Sequence, residues 1–349
     1  MLDSHKTYAA YDPDGVGFQI EHLAEQVRMA WRDSRGVALP SRYKKVSRVL
    51  VVALGSSALS AELLASAFTK KLSVPVDILR SYALPLWVGK DTLIVLLSFS
   101  GSTEEVLSVA HEARRRRLTV AVCTTGGALA EIAADAKWPI IHFTSNEFAG
   151  EARYGQGFSS MSVLGILRAA GLCSVQDDDV RRMRQAMGDV LDTCAVDVPT
   201  KDNPAKTVAE ALVGRTVFVV GTEHLTGNTR IFQDQIHTSA KQFAFSLPEL
   251  NNHFLEAFTF PKNFVKNITI VMLRSAHYDA RIQKRFDVIA EVFETMGMEV
   301  VDYVAGGKDA IEECAEVLQF SSFVSYYLAM CNKINPRNLP VVTAFKKRL

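Results

Sequence analysis

Short apolar runs alternate with longer stretches in which apolar residues recur every three or four positions. Residues 48–54, Arg-Val-Leu-Val-Val-Ala-Leu, form a continuous aliphatic run, the pattern of a strand buried on both faces. A helix follows from 58 to about 70. Residues 74–79 are a second strand, placed at a sheet edge because it carries Pro75. Leu93 to Leu97 is a third strand, ahead of a helical pattern from about 104 to 117. A strand at 118–123, a helix at 128–136 and a strand at 139–143 continue the series. Upstream, Phe18, Ile20, Leu23, Val27, Met29 and Trp31 recur at roughly helical spacing. The spacing predicts one amphipathic helix within 15–34, then a short linker with Pro40.

The second half repeats the theme. Helices are expected at 157–172 and from the Asp177-Asp178-Asp179 cap to about 191. Residues 197–205, with Pro199 and Pro204, read as a linker. A strand at 217–220, a helix over about 228–241, an irregular polar segment at 248–258 and a strand at 268–273 follow. A helix at 281–296, a strand at 299–304 and a long helix at 309–334 end the pattern. Strands alternating with helices imply parallel sheets covered on both faces. The fold class is therefore α/β, with two doubly wound domains of similar plan and flanking helices, as an old internal duplication leaves. The boundaries drawn are an N-terminal helical segment at 1–40, a first domain at 41–175, a helix and linker at 176–205 and a second domain at 206–349.

Composition narrows the function classes. The chain has 349 residues, 48% hydrophobic and 22% charged, with a net charge of +1. That balance gives no global pull toward nucleic acid or an anionic membrane. The run Arg114 to Arg117 sits at a helix C-terminus, where cations suit the dipole. Cys123, Cys173, Cys194, Cys314 and Cys331 are scattered without a C-x-x-C pair, so neither a disulfide framework nor a zinc site is expected. The polar N-terminus lacks a signal-peptide core, and no apolar run nears the ~20 residues of a membrane span. A cytoplasmic protein is expected.

The stretch with chemistry is Ser98-Phe99-Ser100-Gly101-Ser102-Thr103-Glu104-Glu105. It joins a buried strand to a helix, so unpaired helical N–H groups face whatever sits there. The hydroxyls of Ser98, Ser100, Ser102 and Thr103 add donors, and Gly101 lets the backbone approach closely. There is no P-loop lysine. Alone, the stretch fits a serine-rich helix cap as well as a phosphate site. Gly55-Ser56-Ser57 ends another strand the same way, and ligands of parallel sheets sit beyond the carboxyl ends of the strands.

Together with Arg80-Ser81-Tyr82-Ala83-Leu84-Pro85 and Thr124-Thr125-Gly126-Gly127, these stretches resemble the sugar isomerase (SIS) family. Within it they are most similar to the bifunctional phosphoglucose/phosphomannose isomerases. The resemblance is good over about 48–170 and returns at Ser325-Tyr326-Tyr327-Leu328 and Asn335-Pro336. It implies two SIS domains, a homodimer and a sugar phosphate held by Ser57, Ser98, Ser100 and Thr103, with Gly55 and Ser56 shaping the turn. It implies aldose–ketose isomerisation by a cis-enediol route, with no metal and no cofactor. The family's arginine falls on Arg153, after Ala152 where a proline is usual, and would stabilise the enediolate.

The family's ring-opening histidine corresponds to His253, one residue late in Pro248-Glu249-Leu250-Asn251-Asn252-His253. Lys346 fits the family's lysine near the C-terminus. The family's Asn-Glu-Asn-Ala-Lys stands here as His237-Thr238-Ser239-Ala240-Lys241, so Thr238 occupies the catalytic base position. Threonine is no general base near neutral pH. Glu256 or Glu249 could substitute, or either could be a solvated loop carboxylate. The family's Gly-Met-Gly-Gly-Ser is likewise altered, to Ala53-Leu54-Gly55-Ser56-Ser57. Two functions therefore fit the sequence. One is an isomerase of glucose 6-phosphate, mannose 6-phosphate and fructose 6-phosphate. The other is a non-catalytic phosphosugar sensor or regulator.

Overall fold

The computed structural model describes residues 1–144, 148–248, 252–261 and 263–348. The chain forms two compact bodies: residues 22–185, and residues 1–21 together with 186–349. The boundaries drawn from sequence at 40 and 175 lie inside the first of these.

Three helices open the chain: α1 (His5–Tyr11), α2 (Val16–Glu21) and α3 (Leu23–Ser34). The single helix expected within 15–34 is interrupted at His22, where φ is −99° and ψ 15°. The reason is burial. Val16, Gly17, Gln19 and Ile20 of α2 are buried in one body, and Leu23, Gln26, Val27, Ala30 and Trp31 of α3 in the other.

The body at 22–185 continues with β1 (Arg48–Val52), α4 (Gly55–Ala67), β2 (Val76–Leu79), β3 (Thr92–Ser98) and α5 (Glu104–Arg115). It goes on through β4 (Thr119–Thr124), α6 (Gly127–Ala136), β5 (Ile140–His142), α7 (Gln156–Ala169) and the first part of α8 (Asp177–Cys194). The strands form one sheet in the order β2-β1-β3-β4-β5, every pair parallel. The proline-flanked β2 lies at the edge.

Leu50, Val52, Ile94, Leu96, Val120 and Val122 pack against Val106, Val109, Ala110 and Ala113 of α5 and Leu129 and Ala133 of α6. Each valine, leucine or isoleucine of this set contributes ~1.5–3 kcal/mol relative to exposure, and each alanine methyl about 0.8 kcal/mol. All seven residues of β3 are buried, so its carboxyl end is held rigidly where the serine-rich loop begins. Helix α7, buried from Gln156 to Leu167, packs on α3 and α4.

The other body adds α9 (Pro204–Leu212), β6 (Thr216–Val220), α10 (Thr226–Gln235), β7 (Ala244–Leu247) and β8 (Ile268–Arg274). It ends with α11 (Ala280–Thr295), β9 (Glu299–Val304), α12 (Ala310–Cys331) and α13 (Pro340–Lys346). The parallel order is β7-β6-β8-β9, the first four places of the other sheet repeated. Of the expected linker at 197–205 only Pro204 and Ala205 belong to α9, which runs on to Leu212. Asn203 caps that helix by accepting the Lys206 N–H at 3.0 Å, and Pro204 takes the first helical position, where a missing N–H costs nothing. The polar stretch expected to be irregular contains a 3₁₀ helix, Asn252–Thr259. Among the described residues no helix is long and apolar enough to cross a membrane.

Candidate active site

The sheet order β2-β1-β3-β4-β5 reverses direction between β1 and β3, and such a switch point opens a crevice beyond the strand ends. Both hydroxyl-rich loops lie there. After β1 the chain passes Ala53 and Leu54 and enters α4 at Gly55, whose φ is +56°. The helix begins three residues before the expected start at 58, so Ser56 and Ser57 occupy its first turn. After β3 the chain makes a tight loop and enters α5 at Glu104. Neither N-cap residue, Leu54 of α4 nor Thr103 of α5, caps its helix with its own side chain. Two sets of helical N–H groups, on neighbouring strands of one sheet, therefore meet the crevice.

The loop after β3 is pressed against the loop after β4. A Cβ on Gly101 would stand 1.8 Å from the Gly126 carbonyl oxygen, and its φ is +68°. Only glycine satisfies both conditions. The Gly101 N–H donates to Ser98 Oγ at 3.1 Å, and Ser98 Oγ lies 2.8 Å from Thr103 Oγ1. Ser98 is 1% exposed, whereas Ser100 is exposed and pairs with Ser102 at 2.9 Å. Ser98 thus latches the loop, and Ser100 offers its hydroxyl at the surface. The Arg80–Pro85 stretch is fastened along α5. Ser108 Oγ donates to the Tyr82 carbonyl at 2.8 Å, and the Leu84 N–H donates to Glu112 Oε2 at 2.9 Å. That N–H, helped by Arg116, holds the Glu112 carboxyl below its ordinary range.

Arg153 lies in the same body, between β5 and α7. Its side chain is 6% exposed, its Nε and Nη2 each stand 2.9 Å from Glu151 Oε2, and its guanidinium lies 4.8 Å from the Tyr154 ring centroid. Phe99, between Ser98 and Ser100, touches Gly155, where an added Cβ would come within 2.3 Å of the ring. The hydroxyl loop and the arginine segment are therefore in contact. From the other side Gln26 Nε2 donates to the carbonyls of Phe148 and Tyr154, at 2.7 Å each.

The SIS domain matches residues 42–167, and the bacterial phospho-glucose isomerase C-terminal SIS domain matches residues 201–349. The chain belongs to the SIS-domain family. A bifunctional phosphoglucose/phosphomannose isomerase of Caldicellulosiruptor bescii is 25% identical over 336 residues, 95% of this chain and 97% of that protein. One of the same name from Thermoplasma acidophilum is 24% identical over 308 residues, 87% of this chain and 90% of that one. A glucose-6-phosphate isomerase like protein of Thermus thermophilus superposes with a TM-score of 0.63 at 16% identity, covering 98% of this chain and 99% of that one. At that identity the likeness speaks for the fold alone.

The remaining residues singled out by the SIS resemblance are in the body formed by 1–21 and 186–349. Thr238 sits in a π-type turn, Ile236–Ala240, that ends α10, and its Oγ1 donates to the Asp234 carbonyl at 2.7 Å. A π turn inserts an extra residue and is common at functional sites. Lys241 closes the turn in a left-handed conformation, φ +53°. Its Nζ donates to the carbonyls of Ser239, Asn335 and Pro336, at 3.3, 3.3 and 3.1 Å. Two SIS-like stretches distant in sequence are thus joined. His253 and Glu256 are exposed on the 3₁₀ helix, whose Phe258 packs on Phe218 and Phe293. Lys346 is exposed at the end of α13. Glu249 lies outside the described residues. Among the described residues no group of three or more His, Cys, Asp or Glu is placed to hold a metal ion.

Sequence reading passed over Gln26. It stands among Leu23, Val27 and Ala30 on the buried stripe of α3 and is 0% exposed. An amide on an apolar stripe is the signal that could have found it, since buried polar groups are hydrogen-bonded.

Proposed function

We propose that this SIS protein is a phosphosugar isomerase that interconverts glucose 6-phosphate or mannose 6-phosphate with fructose 6-phosphate. The observation that carries the reading is the switch-point crevice, with two helix N-termini and the hydroxyls of Ser57, Ser98, Ser100 and Thr103. A phosphate monoester dianion suits such a set of donors. The shared name of the two bifunctional relatives, which match most of the chain, supports the reaction class. Gly55 and Ser56 shape the turn, and Arg153 stabilises the enediolate, close enough to the phosphate loop for Phe99 to link the two segments. His253 opens the sugar ring, Glu256 moves the proton between C1 and C2, and Lys346 completes the set. The route needs neither metal nor cofactor. By the same reading the protein is a cytoplasmic homodimer whose partner is the sugar phosphate, with no nucleic acid and no membrane.

A second reading is favoured by Thr238, whose hydroxyl is already donated to a backbone carbonyl. Under it the protein binds phosphosugars without turning them over. A coupled assay on the purified chain with each of the three hexose 6-phosphates decides between them. The isomerase reading expects turnover that falls at least tenfold in Glu256→Gln and His253→Ala. Absence of turnover with all three sugars overturns it. A thermal upshift without turnover then supports the sensor, by ligand linkage.

A further inference from the structure

In the body at 22–185, α3 and the first part of α8 line a groove of about 250 Å³. Arg28 and Arg32 come from α3, Arg35 from the C-cap that follows it, and Arg181 and Arg184 from α8. The spacing makes the rows: positions 28, 32 and 35 share one stripe of α3 and its C-cap, and 181 and 184 share one of α8. Asp177 is the single carboxylate of the lining. It is already engaged by Arg35 at 2.7 Å and by the Trp31 indole N–H at 2.8 Å.

The arginines do have carboxylate neighbours: Arg32 keeps Asp33 to itself at 2.8 Å, and the others share theirs. Glu25 pairs with Arg28 and stands 3.8 Å from Arg184, and Asp178 pairs with both Arg181 and Arg182. Such exposed pairs are individually weak. The side chains of Arg28, Arg32, Arg35 and Arg181 are 42, 57, 53 and 67% exposed, so they can turn toward a ligand.

Glu25, Asp33, Asp177 and Asp178 offset part of the charge of the five guanidinium groups, and a bound anion would relieve the repulsion that remains between the two rows. Each lining cation is an arginine, whose planar fork grips phosphate oxygens in pairs. From Arg28 to Arg35 the row runs roughly 10 Å along α3, longer than one phosphate group. We propose that the groove binds a small polyanion carrying two or more phosphate groups, an oligophosphate or a bis-phosphorylated metabolite. The site is separate from the crevice beyond β1 and β3, and it stands whether or not that crevice takes a sugar phosphate.

The test uses the full chain carrying Ser100→Ala with Thr103→Ala, which disables the crevice as an anion site. Inorganic tripolyphosphate is titrated calorimetrically, with orthophosphate at matched ionic strength as the control. Saturable binding of tripolyphosphate is expected, with a rise in unfolding midpoint of roughly 4 °C at a hundred times the dissociation constant. Adding Arg32→Gln and Arg181→Gln weakens binding at least tenfold and leaves the ligand-free midpoint unchanged. Arg32→Lys with Arg181→Lys, which keeps the charge, recovers part of the loss. Tripolyphosphate that fails to bind, binds no better than orthophosphate, or binds equally well to the glutamine pair overturns the proposal.

Discussion

Gln26 and Tyr154 are 128 positions apart in sequence and joined by a 2.7 Å hydrogen bond, N–H to carbonyl. The same amide nitrogen holds the Phe148 carbonyl, so one side chain of α3 braces both ends of the segment that carries Arg153. Gln26→Leu removes that donor at unchanged bulk. A stability loss of about 1–3 kcal/mol is expected. If Arg153 acts on the enediolate, kcat/KM falls by roughly tenfold as well, because misplacing a charge costs transition-state stabilisation. Denaturant unfolding and the isomerase assay, run on one preparation, check both.

Gly101→Ala puts a methyl group against the Gly126 carbonyl in a backbone conformation that side chains resist. Destabilisation of at least about 2 kcal/mol is expected, together with loss of phosphosugar binding. A variant of wild-type stability would show that the two loops are not packed as described.

Ser98 and Ser100 should separate experimentally. Ser98→Ala breaks the latch to Gly101 N–H and Thr103 Oγ1, and stability drops by about 1 kcal/mol along with affinity. Ser100→Ala leaves stability within about 0.5 kcal/mol and weakens sugar phosphate binding roughly five- to tenfold. Calorimetric titration alongside thermal melts reads the difference. Equal stability losses in the two variants would contradict these roles.

Lys241→Met releases the carbonyls of Asn335 and Pro336 from their ammonium donor. Limited proteolysis is expected to cut sooner near 335–340, at the entry to α13. Unchanged cleavage kinetics would mean that the segment is held by other contacts.

Glu316 gives a pH signature. Burial raises its pKa above the ordinary glutamate value, more than the Tyr303 hydroxyl and the Gly306 and Gly307 N–H groups lower it. The folded state therefore holds this proton more tightly than the unfolded chain does. Its stabilising contribution is complete below the unfolded pKa, about 4.5, and is lost as pH rises through the folded value. Glu316→Gln keeps an acceptor for Tyr303 without the charge. Relative to wild type it should gain stability between about pH 4 and about pH 7.5, measured by urea unfolding at both. A difference independent of pH would count against the shift.

The strands β1, β3, β4, β6 and β8 were legible because each is a run of mostly aliphatic residues, the pattern of a sheet covered on both faces. By contrast β7 has four residues, among them the exposed Phe245, and shows no such run. Helix α9 left one mark, Asn203-Pro204, at the end of the proline-bearing linker, and the expected elements pass over residues 206–212. The break at His22 left none, since the apolar spacing runs on through it; it arises because the flanking stripes are buried in different bodies.

The sequence by itself determined the parallel α/β plan, its repetition and the hydroxyl-rich stretches at 55–57 and 98–103. These follow from local period and from residue chemistry at strand ends. Tertiary structure alone decided that β1 and β3 are neighbours at the switch point, that Ser98 serves the loop while Ser100 is left exposed, and that Gln26 holds the Arg153 segment. Those facts depend on contacts between residues far apart along the chain. Hydrophobic periodicity records which side of an element is buried, and carries no information about which element it is buried against.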